Sequence, residues 1–184
     1  MLHVGSRSDP SIKNLVLIVV VVLVAAFYLM TSFGTGDWLW FNPNFSEVPQ
    51  AIVVHCYGDD VDINPSSPYF SSLTEIVNES LSGNKRWDPL SMSEATYEDY
   101  QTHPRMKTVE LIYGRAVRVH SNYKYFSSVT NLIIPLEGRH AETNAVFGKS
   151  HDNPAPGSLH IESTDQISAY LENQDICPAS LSSQ

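Results

Sequence analysis

Apolar and polar positions divide this chain in two. Leu15 to Phe33, LVLIVVVVLVAAFYLMTSF, is a nineteen-residue run without a charge. As a helix rising about 1.5 Å per residue it reaches roughly 28 Å, the thickness of a bilayer's hydrocarbon core. A cleaved secretory signal is the competing reading, but signal cores run to about 7–15 residues and end in a small-residue A-x-A site. This run is longer, and it exits through Tyr28, Leu29, Met30, Thr31, Ser32 and Phe33. So valine-rich and uniformly apolar a helix is also out of place as the core helix of a small domain. The pattern predicts an uncleaved signal-anchor over 15–33, with residues 1–14 as a short tail before it.

Residues 34–50 have no periodicity and read as a juxtamembrane linker resting on the membrane. Ala51 to Tyr57 (AIVVHCY) is a short β-branched run, expected as a buried strand. Gly58-Asp59-Asp60 should turn it into a partner at Val61 to Ile63. Ser67 and Pro68 suit the N-cap and N1 positions of a helix with Phe70, Leu73, Ile76, Val77 and Leu81 on one face, and Gly83 suits its left-handed end. Asn84 to Pro89, with Trp87, reads as a loop. Ser91 and Glu94 match a capping box for a peripheral helix that Pro104 stops.

From Lys107 the period becomes two. Val109, Leu111, Tyr113, Val117, Val119, Tyr123 and Tyr125 share one parity, with Arg118, His120, Asn122 and Lys124 on the other, as in half-buried antiparallel strands. Gly114-Arg115 fits either a bulge or a hairpin turn. Val129 to Leu136, Ala145 to Gly148 and Leu159 to Glu162 follow as strands, the last two joined by the loop HDNPAPG. Ser163 and Gln166 open a final helix with Ile167, Tyr170 and Leu171 inward. Runs of strands and runs of helices predict an α+β domain over 51–177: a mainly antiparallel sheet of five or six strands, about three helices on one face, and a flexible tail at 178–184.

Charge adds orientation. Arg7 and Lys13 precede the apolar run against one Asp9, whereas nine basic and nineteen acidic residues follow it, leaving that part at −10. The positive-inside bias places the N-terminus in the cytoplasm and the domain outside. Trp38, Trp40 and Phe41 suit the outer headgroup layer, and Trp40 and Phe41 also suit a place under the domain. So acidic a surface disfavours nucleic acid. Cys56 and Cys177, both on the outer side, are expected to pair, since oxidising compartments favour disulfides.

Candidate chemistry is sparse. His140, Glu142, His151 and Asp152 are metal-ligating types in neighbouring loops, without the spacing of a zinc signature. Asp59, Asp60, Asp62 and Asn64 are oxygen-rich but lack the glycine and glutamate of a calcium loop. His55, His120 and His160 fall within expected strands. There is no G-x-S-x-G elbow, phosphate-cradling glycine loop or C-x-x-C pair. Asn44-Phe45-Ser46 and Asn78-Glu79-Ser80 match glycan acceptors, the second inside a helix. Tyr123, Tyr125 and Phe126, interleaved with Lys124, form a contact-surface candidate that strand parity would otherwise bury. No cofactor is expected. These features point to a bitopic membrane protein with a non-catalytic binding or scaffolding domain, as an accessory subunit of a membrane complex. The alternatives are a tethered hydrolase built around the loop histidines, and a ligand sensor acting through a partner.

Overall fold

The computed structural model describes residues 11–151 and 153–177. The apolar run folds as one helix, α1 (Ile12–Thr35), three residues longer at its start than the sequence pattern and two longer at its end. Gly36, at φ +67°, ends it in the left-handed conformation that costs glycine least. Only 6% of its apolar stretch is buried, so α1 is not a core helix of the domain. It is long and apolar enough to cross a membrane.

The domain is α+β. Seven strands form one wholly antiparallel sheet: β1 (Ala51–Cys56), β2 (Asp59–Ile63), β3 (Arg86–Asp88), β4 (Lys107–Val117), β5 (Val129–Glu137), β6 (Ala145–Ser150) and β7 (Asn153–His160). Their order across the sheet is β2-β1-β4-β5-β6-β7-β3. The hairpin turn between β1 and β2 is Tyr57-Gly58, both at positive φ, rather than Gly58-Asp59-Asp60. Gly114 and Arg115 lie within β4 at a register irregularity between Ile112 and Val117, so the chain bulges there and does not turn.

Three expectations about strands fail, the first being the loop Asn84 to Pro89, which holds β3 because β7 pairs with it. The parity run does not continue to Tyr125. β4 ends at Val117, Ser121 accepts from the Tyr123 backbone N–H to form a turn, and Lys124–Phe126 coil into a short 3₁₀ helix. The loop HDNPAPG is not a loop throughout, because β7 starts at Asn153 and carries Pro154 and Pro156. Proline is tolerated there since β3 flanks β7 only at Ser158–His160, leaving the earlier residues an open edge.

Three helices cover the sheet: α2 (Phe70–Leu81), α3 (Glu94–Thr102) and α4 (Asp165–Asn173). They lie on both faces, not one. From α2, Phe70, Leu73, Val77 and Leu81 join Ile167 and Leu171 of α4 over Ile52, Val54, Val109, Leu111, Leu132 and Ile134. On the opposite face Tyr100 of α3 covers Ile133, Ala145 and Phe147. α2 starts at Phe70, Ser67 forming the preceding turn by accepting from Phe70 and Tyr69 N–H groups. The cap of α3 is Ser93, whose hydroxyl accepts from Thr96 N, and not Ser91. The Ser163 hydroxyl accepts from Asp165 N ahead of α4, whose N-cap residue is Thr164.

β3 exists because Gly157 lets it approach. Gly157 has φ +103°, and a Cβ there would lie 2.5 Å from Trp87 Nε1 and 2.7 Å from the Asp88 carbonyl. Gly157→Ala is therefore expected to destabilise the domain by about 2–3 kcal/mol through backbone strain and overlap. Thermal melting checks this, and an unchanged midpoint would contradict it.

Candidate functional site: an aromatic collar and a buried carboxylate–histidine network

Where α1 meets the domain, the chain reverses and comes back along the helix. Asp37, 3% exposed, anchors the reversal. Its Oδ1 accepts from Leu39 N at 2.8 Å and its Oδ2 faces His120 Nδ1 at 2.8 Å. Arg118 Nη1 donates to the Gly36 carbonyl at 3.0 Å and lies 3.5 Å from Asp37 Oδ1. A cation at the carbonyl end of α1 also complements the helix dipole. His120 is thus a loop residue facing the anchor, not a strand residue.

Residues 38–41 then fold against the last turns of α1. Tyr28 Oη donates to the Trp38 carbonyl at 2.9 Å. Phe27 meets Trp40 edge-on with centroids 6.0 Å apart, Phe33 meets Trp38 at 5.4 Å, and Phe41 contacts both Tyr28 and Trp40. Trp38 and Phe41 remain 51% and 58% exposed, while Trp40 is partly buried. Trp40 and Phe41 thus pack on α1 and also border the domain at Lys85 and His120, outside its hydrophobic core. The linker that follows does enter the core, through Phe45.

On the α3 face of the sheet lies a polar network assembled from five strands and a helix. His55 of β1 sits between two carboxylates, its Nδ1 2.6 Å from Asp60 Oδ1 and its Nε2 3.3 Å from Glu110 Oε2. Glu110 of β4, itself 3% exposed, also accepts from Tyr97 Oη at 2.8 Å and from Asn131 Nδ2 at 2.7 Å. Lys149 of β6 places its Nζ 3.7 Å from the centre of the Tyr97 ring, a cation–π contact. Burial opposes the charged forms of both His55 and Glu110. The hydrogen bonds that the His55 ring donates to Glu110 and Asp60 nonetheless hold the imidazole above its usual value. Those from His55, Asn131 and Tyr97 hold the Glu110 carboxyl below its own. Both Glu110 oxygens are already engaged, so the network is suited to holding strands in register rather than to moving a substrate's proton.

Sequence reasoning overlooked Glu110, Asn131, Tyr97 and Lys149 as site residues and weighed Asp60 only within an oxygen-rich turn. The usable signal was a charged residue interrupting each of two apolar runs, VELIY and AIVVHCY, at positions that share the outward parity of adjacent strands.

The loop histidines do not converge. His140 stands at the start of the turn into β6, its Nδ1 hydrogen-bonded to Tyr100 Oη, whereas exposed His151 lies beyond the other end of that strand. Six strand residues separate the two ends, about 20 Å. Burial and the neighbouring Arg139 lower the His140 pKa. Glu142 is exposed, and Asp152 lies outside the described residues. Among the described residues no group of three His, Cys, Asp or Glu is placed to hold a metal ion.

The aromatic contact candidates separate as well. Phe126 is wholly buried in the main core. Tyr123 stacks on Trp87 with centroids 4.9 Å apart. Tyr125 is 40% exposed, with Lys124 Nζ 5.2 Å from its ring.

Cys56 and Cys177 form a disulfide that ties the end of β1 to the segment after α4. Beside it, buried Lys107 reaches Glu137 of β5 and Glu172 of α4, fastening the same helix to the sheet. No protein-family model, curated protein or solved structure matches the chain.

Proposed function

We propose that this chain is a single-pass membrane protein of the cell membrane, its N-terminus cytoplasmic and its α+β domain extracytoplasmic, and that the domain binds or scaffolds a protein partner without catalysis, as an accessory subunit of a membrane complex. The observation that carries this reading is α1, whose apolar surface is left open along its length while its end is clamped to the domain by Asp37, Arg118 and His120. Lipid is the medium that suits so exposed an apolar helix. The disulfide supports an oxidising compartment for the domain, and Arg7 and Lys13 support a cytoplasmic tail. Trp38 and Phe41 are exposed where headgroups would meet them.

Two surfaces suit a partner. One is exposed Tyr125 with Lys124. The other is a groove of about 560 Å³ between the linker and α2, lined by Phe45, Val48, Phe70 and Thr74 among others. Crosslinking of the full-length protein in its native membrane, followed by mass spectrometry of what is retained, tests the reading. A defined set of membrane proteins is expected. Recovery of a monodisperse monomer with nothing attached would overturn the scaffold role, and a mature N-terminus beginning after Phe33 would overturn the anchor.

A further inference from the structure

Beside the aromatic collar lies a crevice of about 280 Å³ whose walls come from three separate stretches: Trp40–Pro43 of the linker, Gly83–Lys85 after α2, and His120–Asn122. Its cation, Lys85, has no anion as partner among the described residues. Lys85 Nζ donates to the Pro43 carbonyl at 2.9 Å and the Gly83 carbonyl at 3.1 Å, both neutral acceptors. An ammonium has three donors, so one is left over. No carboxylate lies within ion-pair distance of Lys85 among the described residues. Burial lowers the Lys85 pKa, as expected for a half-buried cation lacking a counter-charge.

His120, in the same crevice wall, is held in place by Asp37 through Nδ1. Trp40 Nε1 is buried with no acceptor in the protein. The charge around this junction also departs from that of the domain. Arg118 caps the end of α1 and Lys124 lies in the 3₁₀ turn that contacts α1. The acidic group set among them, Asp37, is buried and already engaged. An acidic domain with net charge −10 thus turns a locally cationic, counter-ion-poor crevice toward the end of its apolar helix.

The geometry points to a binding site for the phosphodiester of a membrane phospholipid headgroup, with the Lys85 ammonium as its charged donor and His120 in its wall. A phosphodiester carries a full negative charge and acceptor oxygens, which meets the unspent donor and the uncompensated charge of Lys85. The collar sets the depth. Trp38 and Phe41 belong to the turn that borders the crevice, and exposed aromatic rings of this kind sit at headgroup level. The site rests on the reading of α1 as embedded in a bilayer.

Native mass spectrometry of the detergent-solubilised full-length protein tests it, titrating phosphatidylglycerol, the diacylglycerol with the same acyl chains, and inorganic phosphate. One phosphatidylglycerol is expected to be retained in preference to diacylglycerol. Lys85→Gln should weaken it about tenfold or more, and Lys85→Arg, which keeps the charge, should retain it. Equal retention of diacylglycerol, or a Lys85→Gln protein that binds like the parent, overturns the site. Displacement of the lipid by an equal concentration of inorganic phosphate overturns the lipid as the source and assigns a soluble phosphate instead. Alkaline extraction of membranes separates the two layers of the argument. Release of the protein overturns the anchor reading, whereas resistance combined with Lys85-independent lipid binding overturns the crevice alone.

Discussion

The Cys56→Ser/Cys177→Ser protein is expected to melt about 10–20 °C below the parent, with parent plus reductant matching it. The two cysteines are 121 positions apart. Cross-linking so long a segment restricts the unfolded chain, and loop-closure entropy assigns about 4–5 kcal/mol to a loop of this size. For a domain of this length each kcal/mol shifts the midpoint by several degrees. The contact is also well placed to stabilise the native state, because it holds the end of α4 against the central part of the sheet where Lys107, Glu137 and Glu172 meet. Melting curves with and without reductant, on full-length protein in detergent, measure the effect. Coincident curves would mean that the cross-link contributes nothing.

Glu110→Ala should cost a comparable amount, about 3–5 kcal/mol, because it strands a buried histidine and leaves the donors of Tyr97 and Asn131 without their acceptor. The loss should depend on pH. Glu110 has a depressed pKa when folded, so its contribution is present above the ordinary glutamate value of 4.5 and fades as pH falls through the depressed one. His55 has a raised pKa, so its contribution is fully present below 6.5 and is lost as pH rises through the raised value. Both contributions hold together between pH 4.5 and 6.5, and the parent should be less stable on the alkaline side of the raised His55 value. In Glu110→Ala that alkaline decline should shrink, since one of the two carboxylates that hold the imidazolium is gone. Thermal midpoints at pH 5.5 and pH 8 for both proteins measure it. Equal pH slopes would show that His55 and Glu110 do not titrate as a coupled pair.

The two effects bear on the proposed role differently. The disulfide ties stability to oxidising conditions, whereas the His55–Glu110 pair ties it to the acidity around the domain. Neither side chain lines the groove between the linker and α2 or the crevice at the collar. Either variant can therefore lower stability while leaving those surfaces chemically intact.

Much of the fold was readable from local pattern. The unbroken apolar run of α1, the β-branched run of β1 and the inner faces of α2 and α4 are each visible in their own residues, α2 and α4 as an apolar position repeated at the helical period. Such a repeat is decided by residues within one or two turns, so the chain carries it without reference to its neighbours. Gly83, at φ +91°, follows α2 where the pattern wanted a left-handed residue, for the same local reason. The pairing of Cys56 with Cys177 was open to inference because the chain has only two cysteines, both beyond the apolar run.

The remainder was settled by partners distant in the chain. β3 is three residues with no period of its own, held by β7 and by Trp87 stacking on Tyr123. β7 runs through two prolines because β6 supplies its pairing and β3 leaves that stretch of edge open. Tyr123 left the expected strand because Phe126, rather than Tyr125, follows Val119 into the core, and Tyr123 stacks on Trp87. The polar network and the crevice at the collar each draw side chains from three or more separated segments. Sequence by itself determined the elements whose burial is periodic. Tertiary structure alone decided the sites, because a side chain's charge, partners and depth depend on what register and chain reversal bring beside it, and spacing along the chain does not encode that.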